Sequence, residues 1–384
     1  MAKNSPTLDT PLRDQLERLA SYEPQDAPVV SLYLNLTPDQ HGRDNYESFV
    51  RKAFAERSKG FKENSDERAS LDRDFERVSA YLSAEVNRSS NGLALFASSG
   101  AGEFFEAVQF DAPLDEHWLV IGSVPHLYPL ARVIDQYPRY ASVVLDTHRA
   151  RIFVFGMGSV KRREQVTGEK PSRNSVGGWS QARYQRRNEN LHVNHVKEVV
   201  EALDRIVAAD AIEHIIIAGD DVVVPLLKEQ LPKHLQDKIV DVLSLQRDAA
   251  EDHIVEATLD VLRQKDAETD AERVQELVGA WQSGGLGVVG PDSTLKALQN
   301  GQVDELLMSG TAQELGSARL PDDAAPGPVK AETSASGDTD ERKLKLADEL
   351  VTRAQQTGAE VRFIENSDLL KDFGGVGALL RFRI

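Results

Sequence analysis

The middle third of the chain alternates short apolar runs with long helical patterns, and this alternation limits the possible folds more than any other feature. Residues 140–145 and 151–155 are β-branched and aromatic runs on either side of a turn at 146–150, which predicts a hairpin. A long helical stripe continues to about Ala209, and a buried strand follows at 214–219. Strands that alternate with helices predict an α/β domain with a mixed sheet.

The composition indicates a protein with more than one domain. At 384 residues the chain is long enough for two or three domains, and its hydrophobic fraction of 40% allows a sizeable core. Cysteine is absent, which excludes disulfides and thiolate metal sites. We see no signal peptide and no apolar stretch of about 20 residues, so we expect a cytoplasmic protein that does not span a membrane.

Three domains are expected, with boundaries where the pattern changes. We predict an N-terminal domain over residues 1–135, a middle α/β domain over 136–262 and a C-terminal α/β domain over 263–384. Residues 316–339 lack the large apolar side chains that offset ordering entropy, so we expect a flexible loop there. Helices in the last third are predicted over 249–264, 270–282 and 343–356.

The most informative short run lies between the predicted hairpin and the long helix. It reads Gly-Gly-Trp-Ser-Gln from Gly177 to Gln181, at the end of a predicted loop over residues 156–178. Glycine backbone allows close approaches that side chains would block, so the run predicts a mobile tip mounted on a helix. Ser180 is placed to cap that helix, because its hydroxyl accepts a hydrogen bond from an unpaired backbone N–H.

The residues around this tip are basic, although the whole chain has a formal net charge of −17. The overall acidity argues against indiscriminate coating of nucleic acid. Between Lys161 and Arg187, however, eight basic residues stand against two acidic ones, a local net charge of +6. We expect contacts to RNA phosphates there, with a solvated helix face as the alternative. The residues concerned are Lys161, Arg162, Arg163, Arg183, Arg186 and Arg187.

The tip resembles that of the archaeal and eukaryotic class 1 peptide-release factors. Their middle domain reads Gly-Gly-Gln-Ser, then two residues, then Arg and an aromatic residue. The matching positions are Gly177, Gly178, Ser180, Arg183 and Tyr184. The position of the catalytic glutamine holds Trp179, and a glutamine follows two residues later as Gln181. This variation is similar to the bacterial branch of the superfamily.

The resemblance extends to the other two thirds of the chain. Residues 31–34 and 91–96 resemble strands of the release-factor N-terminal domain, and the glycine-rich ending at 374–382 resembles the C-terminal domain of the release-factor and Pelota family. It implies an α/β (α+β) chain of three release-factor-like domains. The mixed-sheet middle domain would carry the basic Gly-Gly tip and the long helix.

The resemblance also implies a function. It implies a ribosome-associated release or rescue factor that hydrolyses the peptidyl-tRNA ester, with ribosome and tRNA as partners and neither DNA nor a membrane. The implied catalytic residues are Gly177, Gly178, Ser180 and Gln181, while Trp179 would stack on a terminal base. One alternative is a non-catalytic ribosome- or RNA-binding factor, similar to Pelota in role. Another is a loop and helix start without chemistry. The oligomeric state stays open.

No cofactor and no metal are expected. His192 and His195 lie three residues apart on the predicted helix, and His148 lies in the hairpin turn, but zinc would need further ligands. The Gly-x-Gly-x-x-Gly run from Gly285 to Gly290 lacks the preceding strand that a dinucleotide site requires.

Overall fold

The structure is a computed structural model that divides the chain into two compact units. It describes residues 12–23, 25–38, 46–87, 89–100, 102–168, 181–220, 222–245, 249–318, 329–330 and 337–383. The first unit comprises Met1–Gln136 with Ala267–Ile384, and the second comprises Tyr137–Asp266. The expected division into three domains stays a prediction.

The helices in chain order are α1 (Leu12–Ala20), α2 (Tyr46–Ser58), α3 (Asp66–Ala84), α4 (Tyr128–Gln136), α5 (Gln181–Ala209), α6 (Val223–Gln230), α7 (Lys233–Gln236), α8 (Glu251–Gln282), α9 (Pro291–Gln299) and α10 (Gly337–Gln356). The strands are β1 (Val29–Asn35), β2 (Gly92–Ser98), β3 (Phe104–Phe110), β4 (Trp118–Gly122), β5 (Tyr140–Leu145), β6 (Arg149–Gly156), β7 (Ser159–Thr167), β8 (His214–Gly219), β9 (Ile239–Leu243), β10 (Gly287–Val289), β11 (Val303–Ser309), β12 (Val329–Lys330), β13 (Glu360–Ile364) and β14 (Val376–Leu380). Among the described residues, no helix is both long enough and apolar enough to cross a bilayer.

The first unit contains an antiparallel sheet in the order β12-β4-β1-β2-β3. Its strands β1 and β2 are buried on both faces because nearly all their side chains are apolar. One face packs on α2 and α3, where Phe54 and Leu71 share a core with Leu32 and Leu95. This sheet forms the core of the N-terminal part of the unit.

A second sheet of the same unit has the order β10-β14-β11-β13. β11 and β13 are parallel, and the other neighbours are antiparallel. The connection from β11 to β13 includes α10, as expected of a parallel pair, which needs a crossover. The last turns of α8 contribute Val274 and Leu277 to a core with Leu307 and Ile364.

Asp348 of α10 connects the two sheet regions of the first unit. Its Oδ1 accepts hydrogen bonds from the backbone N–H groups of Leu127 at 2.7 Å and Tyr128 at 3.2 Å. The same oxygen lies 3.1 Å from Nδ1 of the buried His126. Tyr128 in turn donates its hydroxyl to the carbonyl of Gly310 at 2.9 Å. One carboxylate thus satisfies several buried donors at the start of α4.

The second unit contains a mixed sheet in the order β7-β6-β5-β8-β9. β5, β6 and β7 are antiparallel, whereas β5, β8 and β9 are parallel. One face packs on α5 and α6, and the other packs on the first turns of α8, where Ile254 and Leu262 join Phe153 and Phe155. The mixed-sheet α/β prediction, the hairpin and the helix end at Ala209 are confirmed.

The predicted loop over residues 156–178 is wrong in its first half, because residues 159–167 form β7. The strand was missed because its sequence, SVKRREQVT, is dominated by charged and polar residues. Its Val160 and Val166 nevertheless pack on the two faces of the sheet. An edge strand tolerates such charge because its outer side meets solvent.

Two predictions for the last third are also corrected. The helices expected over 249–264 and 270–282 form one helix, α8, because the intervening polar residues contain neither glycine nor proline. The expected loop over 316–339 is shorter, since α10 begins at Gly337 and β12 pairs with β4. Residues 319–328 and 331–336 of that loop lie outside the described residues.

Asp348→Ala is expected to destabilise the first unit strongly. The substitution leaves the backbone N–H groups of Leu127 and Tyr128 without an acceptor, which costs about 2–5 kcal/mol. Urea-induced unfolding measures this difference. Asp368→Ala serves as the control, because that side chain is 84% exposed and should change stability by only about 0.5 kcal/mol. Equal effects of the two substitutions would contradict the role of Asp348.

Candidate functional site

The predicted tip residues lie at or just before the start of α5. Gln181 is the first residue of the helix, and Gly177, Gly178, Trp179 and Ser180 lie outside the described residues. The backbone of α5 includes the predicted RNA-binding positions Arg183, Arg186 and Arg187. The structure describes their backbone as helical and does not describe their side chains. The roles assigned to these residues stay predictions.

Helix α5 is longer than the sheet on which it packs. Its 29 residues span about 44 Å at 1.5 Å per residue, whereas the nine residues of β7 span about 30 Å. Among the side chains that the structure describes, the buried apolar residues of α5 begin at Val196 and end at Val207. The first part of the helix therefore extends past the sheet, and the tip run immediately precedes it.

The strand register identifies the sheet edge at which this extension begins. Thr167 at the end of β7 pairs with Arg149 at the start of β6. Ala150 of β6 pairs with Leu145 at the end of β5, and Leu145 pairs with Gly219 at the end of β8. The chain thus leaves β7 at the edge formed by the carboxyl ends of the parallel strands, where α/β proteins place their ligand sites.

Gly168 fixes the point at which the chain leaves β7. Its N–H donates to the carbonyl of His148 at 2.9 Å. A Cβ on Gly168 would lie 2.9 Å from both Cγ and Nδ1 of His195, so this close approach of the chain to α5 requires glycine. The contact sets how close the end of β7 lies to α5.

Three histidines surround this contact. The rings of His148 and His192 have centroids 5.8 Å apart and planes inclined at 62°. His195 is only 2% exposed, and neither of its ring nitrogens has a hydrogen-bond partner within the described part of the chain. Over the same part, no group of three or more His, Asp or Glu side chains is arranged to hold a metal ion. The cluster lies where the end of β7 and the turn between β5 and β6 pack on α5.

The surroundings of His195 favour its neutral form. Burial has the largest effect and lowers the pKa of the imidazole, and nearby His148 lowers it further. The Arg149 backbone, Glu198 and Asp146 act in the opposite direction, but the resulting pKa remains below the ordinary value of 6.5. A charged His195 would lack solvation in this position.

Sequence reasoning placed His148 in the turn between β5 and β6 but missed the cluster. Asp146 shapes that turn, because its Oδ1 accepts the N–H groups of His148 at 2.6 Å and of Arg149 at 2.9 Å. Gly168 was also missed. No usable signal for Gly168 was present in the sequence, because the charged run before it was not predicted to be a strand.

β7 carries the predicted RNA-binding residues Lys161, Arg162 and Arg163. The side chains of Lys161 and Arg163 are exposed, and that of Arg162 is half-buried. Because β7 leads directly to Gly168, these cations lie on the segment that precedes the tip run.

Ion pairs reduce the positive charge of this strand. Arg162 contacts Asp210 at 3.0 Å and Glu164 at 3.1 Å. Nε of Arg163 donates to Glu251 at 2.8 Å. Asp210 and Glu251 lie outside the segment with the local net charge of +6, so the surface is less basic than the sequence count suggests.

Two known families match the chain from residue 125 to its end. Residues 125–263 match the family described as Bacterial archaeo-eukaryotic release factor family 10. Residues 267–384 match the family described as eRF1 domain 3. The gap between the two matches lies next to the boundary between the compact units.

Similar proteins cover nearly the whole chain. Peptide chain release factor subunit 1 of Thermococcus kodakarensis is 24% identical over 420 aligned positions, 97% of either chain. The protein of the same name from Methanobrevibacter smithii is 24% identical and covers 77% of this chain and 79% of its own. A solved structure of S. cerevisiae Dom34, described as a translation termination-like factor, covers 76% of this chain and 79% of its own, with 12% identity and a TM-score of 0.41.

His195→Leu is expected to flatten the dependence of stability on pH. The pKa of His195 in the folded protein is below the 6.5 of an exposed histidine, so the unfolded chain binds the proton first as the pH falls. The contribution to stability is therefore complete above about pH 6.5 and declines below it. Leucine removes this decline. Urea-induced unfolding between about pH 5 and pH 8 measures the slope.

His253→Leu is the matched control for this substitution. His253 is exposed on α8, and its replacement retains His195, so the wild-type slope should remain. Two results would contradict the account of His195 as a neutral, buried histidine. One is a His195→Leu protein whose free energy of unfolding depends on pH as in wild type, and the other is a His195→Leu protein that loses much stability at neutral pH.

Proposed function

Because the chain belongs to the archaeo-eukaryotic release-factor and Pelota superfamily, we propose that it acts on the ribosome as a peptide release or rescue factor. In this proposal the tip from Gly177 to Gln181 enters the catalytic centre and promotes hydrolysis of the peptidyl-tRNA ester. The description of the family that matches the middle region favours a bacterial ribosome as the partner. In this proposal the protein acts in the cytoplasm, where ribosomes work.

The observation that supports this proposal most is the extension of α5 past its sheet. A catalytic tip that works inside a ribosome must reach a site that a folded domain cannot enter. The second part of α5 is anchored by apolar packing, while the first part extends beyond the sheet towards the tip run. The N-terminal end of a helix also favours negative charge, which suits a site that binds RNA and stabilises an oxyanion.

The reaction requires an oriented water and donors for a developing oxyanion. The water oxygen bonds to the ester carbonyl carbon, the bond from that carbon to the tRNA oxygen breaks, and the tRNA oxygen takes up a proton. In our proposal, backbone N–H groups at Gly177 and Gly178 stabilise the oxyanion, and Ser180 caps the helix. The amide of Gln181 orients the water.

Gln181 takes this role because Trp179 is chemically unsuited to it. An indole N–H donates a hydrogen bond but accepts none, whereas an amide side chain does both. Trp179 instead supplies an aromatic face for stacking on a terminal base. The two glycines before it give the backbone the freedom to bring Gln181 into place. The basic residues Arg183, Arg186 and Arg187 would contact RNA phosphates along the first turns of α5.

Gln181→Ala and Gly178→Val are each expected to slow peptide release at least about tenfold. An oriented water and an oxyanion donor each contribute factors of about 10² to 10³ in comparable sites. The measurement is single-turnover release of a labelled peptide from stalled ribosome complexes, with ribosome binding measured in parallel. Binding should be retained, because neither substitution removes a positive charge: Gln181→Ala removes the amide, and Gly178→Val restricts the backbone that presents the oxyanion donors.

Gln185→Ala is the matched control, an identical truncation one helical turn further along α5. It should release peptide at the wild-type rate. If the wild-type protein binds stalled ribosomes and releases no peptide, the hydrolase is excluded and a non-catalytic factor of Pelota-like role remains. If it does not bind ribosomes at all, the proposed function is wrong.

A further inference from the structure

A buried carboxyl group in the N-terminal part of the first unit is hydrogen-bonded through one oxygen only. Asp74 of α3 is fully buried, and its Oδ1 accepts hydrogen bonds from the backbone N–H of Ser99 at 2.8 Å and from the Ser99 hydroxyl at 2.5 Å. Its Oδ2 is shielded from solvent and has no hydrogen-bond partner within the described part of the chain. A buried charge that is solvated on one side only is costly, so neutralising it would stabilise this arrangement.

Two hydroxyl groups lie beside this carboxyl. Ser70 precedes Asp74 by one helical turn on the same face of α3, and helical side chains lean towards the preceding turn. The Ser70 hydroxyl is also shielded from solvent and lacks a hydrogen-bond partner among the described residues. Burial raises the pKa of the Tyr22 phenol, Ser98 lowers it, and the charge of Asp74 raises it, so the phenol lies close to the carboxyl. We name Tyr22, Ser70 and Asp74 the carboxyl cluster.

The carboxyl cluster anchors the turn between β2 and β3. Its carboxyl group binds Ser99, and the next residue, Gly100, is so close to Ser70 that an added Cβ would lie 2.9 Å from the serine Oγ. Arg77 of the same helix adds a second anchor, because it donates to the carbonyl of Glu103 at 3.1 Å. β3 is the edge strand of its sheet, so an opening of this turn disturbs only the pairing of β3 with β2.

The surroundings of Asp74 favour its neutral form. Burial has the largest effect and raises the pKa of the carboxyl above its ordinary value of 3.8. The hydrogen bonds from Ser99 and the positive charges of Arg77 and Arg73 act in the opposite direction without cancelling it. Tyr22 stays neutral because its own pKa is raised above 10.0. The folded chain therefore binds a proton at this carboxyl more readily than the unfolded chain does.

We propose that the carboxyl cluster is a proton switch that makes the turn between β2 and β3 more rigid as the pH falls. With Asp74 ionised, closing the turn buries a charge whose Oδ2 meets no donor among the described residues, so the turn opens more often. With Asp74 neutral, Oδ2 carries a proton that the adjacent Ser70 hydroxyl can accept, while Oδ1 keeps its bonds to Ser99. This switch does not depend on the proposed function.

The test follows exchange of the Ser99 amide hydrogen, which donates to Asp74, in the full-length protein. NMR measures the exchange rate from about pH 4 to about pH 7.5, and comparison with an unstructured amide at the same pH gives the opening equilibrium of the turn. The stabilisation is complete below pH 3.8 and is lost as the pH rises through the folded pKa. Opening should therefore increase at least about fivefold across this range.

Asp74→Asn should abolish this dependence on pH, because the amide keeps an acceptor for Ser99 and does not ionise. Glu76→Gln is the matched control, the same exchange of carboxyl for amide at an exposed position of α3, and it should behave like wild type. An opening equilibrium that does not change with pH in wild type, or that changes equally in the Asp74→Asn protein, would overturn the inference.

A direct titration gives the test if Asp74→Asn does not fold. The NMR shift of the Asp74 carboxyl carbon, followed in wild-type protein labelled at aspartate, should titrate above pH 3.8, and a midpoint at or below that value would overturn the inference. Salt provides the remaining arm. If K⁺ or Na⁺ protects the Ser99 amide at neutral pH more than choline does at equal ionic strength, a bound cation takes the place of the proton and the switch is wrong.

Discussion

The arrangement of the second unit depends on one packing constraint: among the side chains that the structure describes, the apolar residues of α5 that are buried against the sheet all lie in its second part. The second part of α5 buries Val196, Leu203 and Ile206 against the mixed sheet. They share a core with Ile152 of β6 and Ile217 of β8. Each such side chain contributes about 1.5–3 kcal/mol when it is fully buried. The direction of the helix is therefore fixed by its anchored part, and a short helical extension that would be marginal alone is supported by it.

The point where the chain leaves β7 is fixed in the same way, whereas the tip run that follows in the sequence contains two adjacent glycines. The contact between Gly168 and His195 sets how close the chain leaving β7 lies to α5. The neutral, buried His195 makes this contact without bringing a charge into the interior. A conformationally permissive run on a fixed base suits a group that must reach a crowded site and then adjust to it.

The sequence predicts the parts of this arrangement that depend on local pattern. The hairpin of β5 and β6, the end of α5 at Ala209 and the mixed sheet follow from periodicity and are confirmed. β7 was not predicted because its charges hide the alternation, and those charges are offset by partners distant in sequence, such as Asp210 for Arg162. The meeting of Gly168, His148 and His195 depends on tertiary packing, which no local pattern shows. The roles of Gly177 to Gln181 rest on motif resemblance and family membership.

The most direct test of the account is to map where the tip lies on the ribosome. The chain contains no cysteine, so Ser180→Cys provides a single attachment point for an iron chelate that generates hydroxyl radicals. The account predicts cleavage of ribosomal RNA around the peptidyl-transferase centre and of the terminal nucleotides of the peptidyl-tRNA. A chelate attached through Lys228→Cys, on α6, should cleave elsewhere. Cleavage from position 180 that is absent from the peptidyl-transferase centre, in complexes that contain the bound protein, would contradict the account.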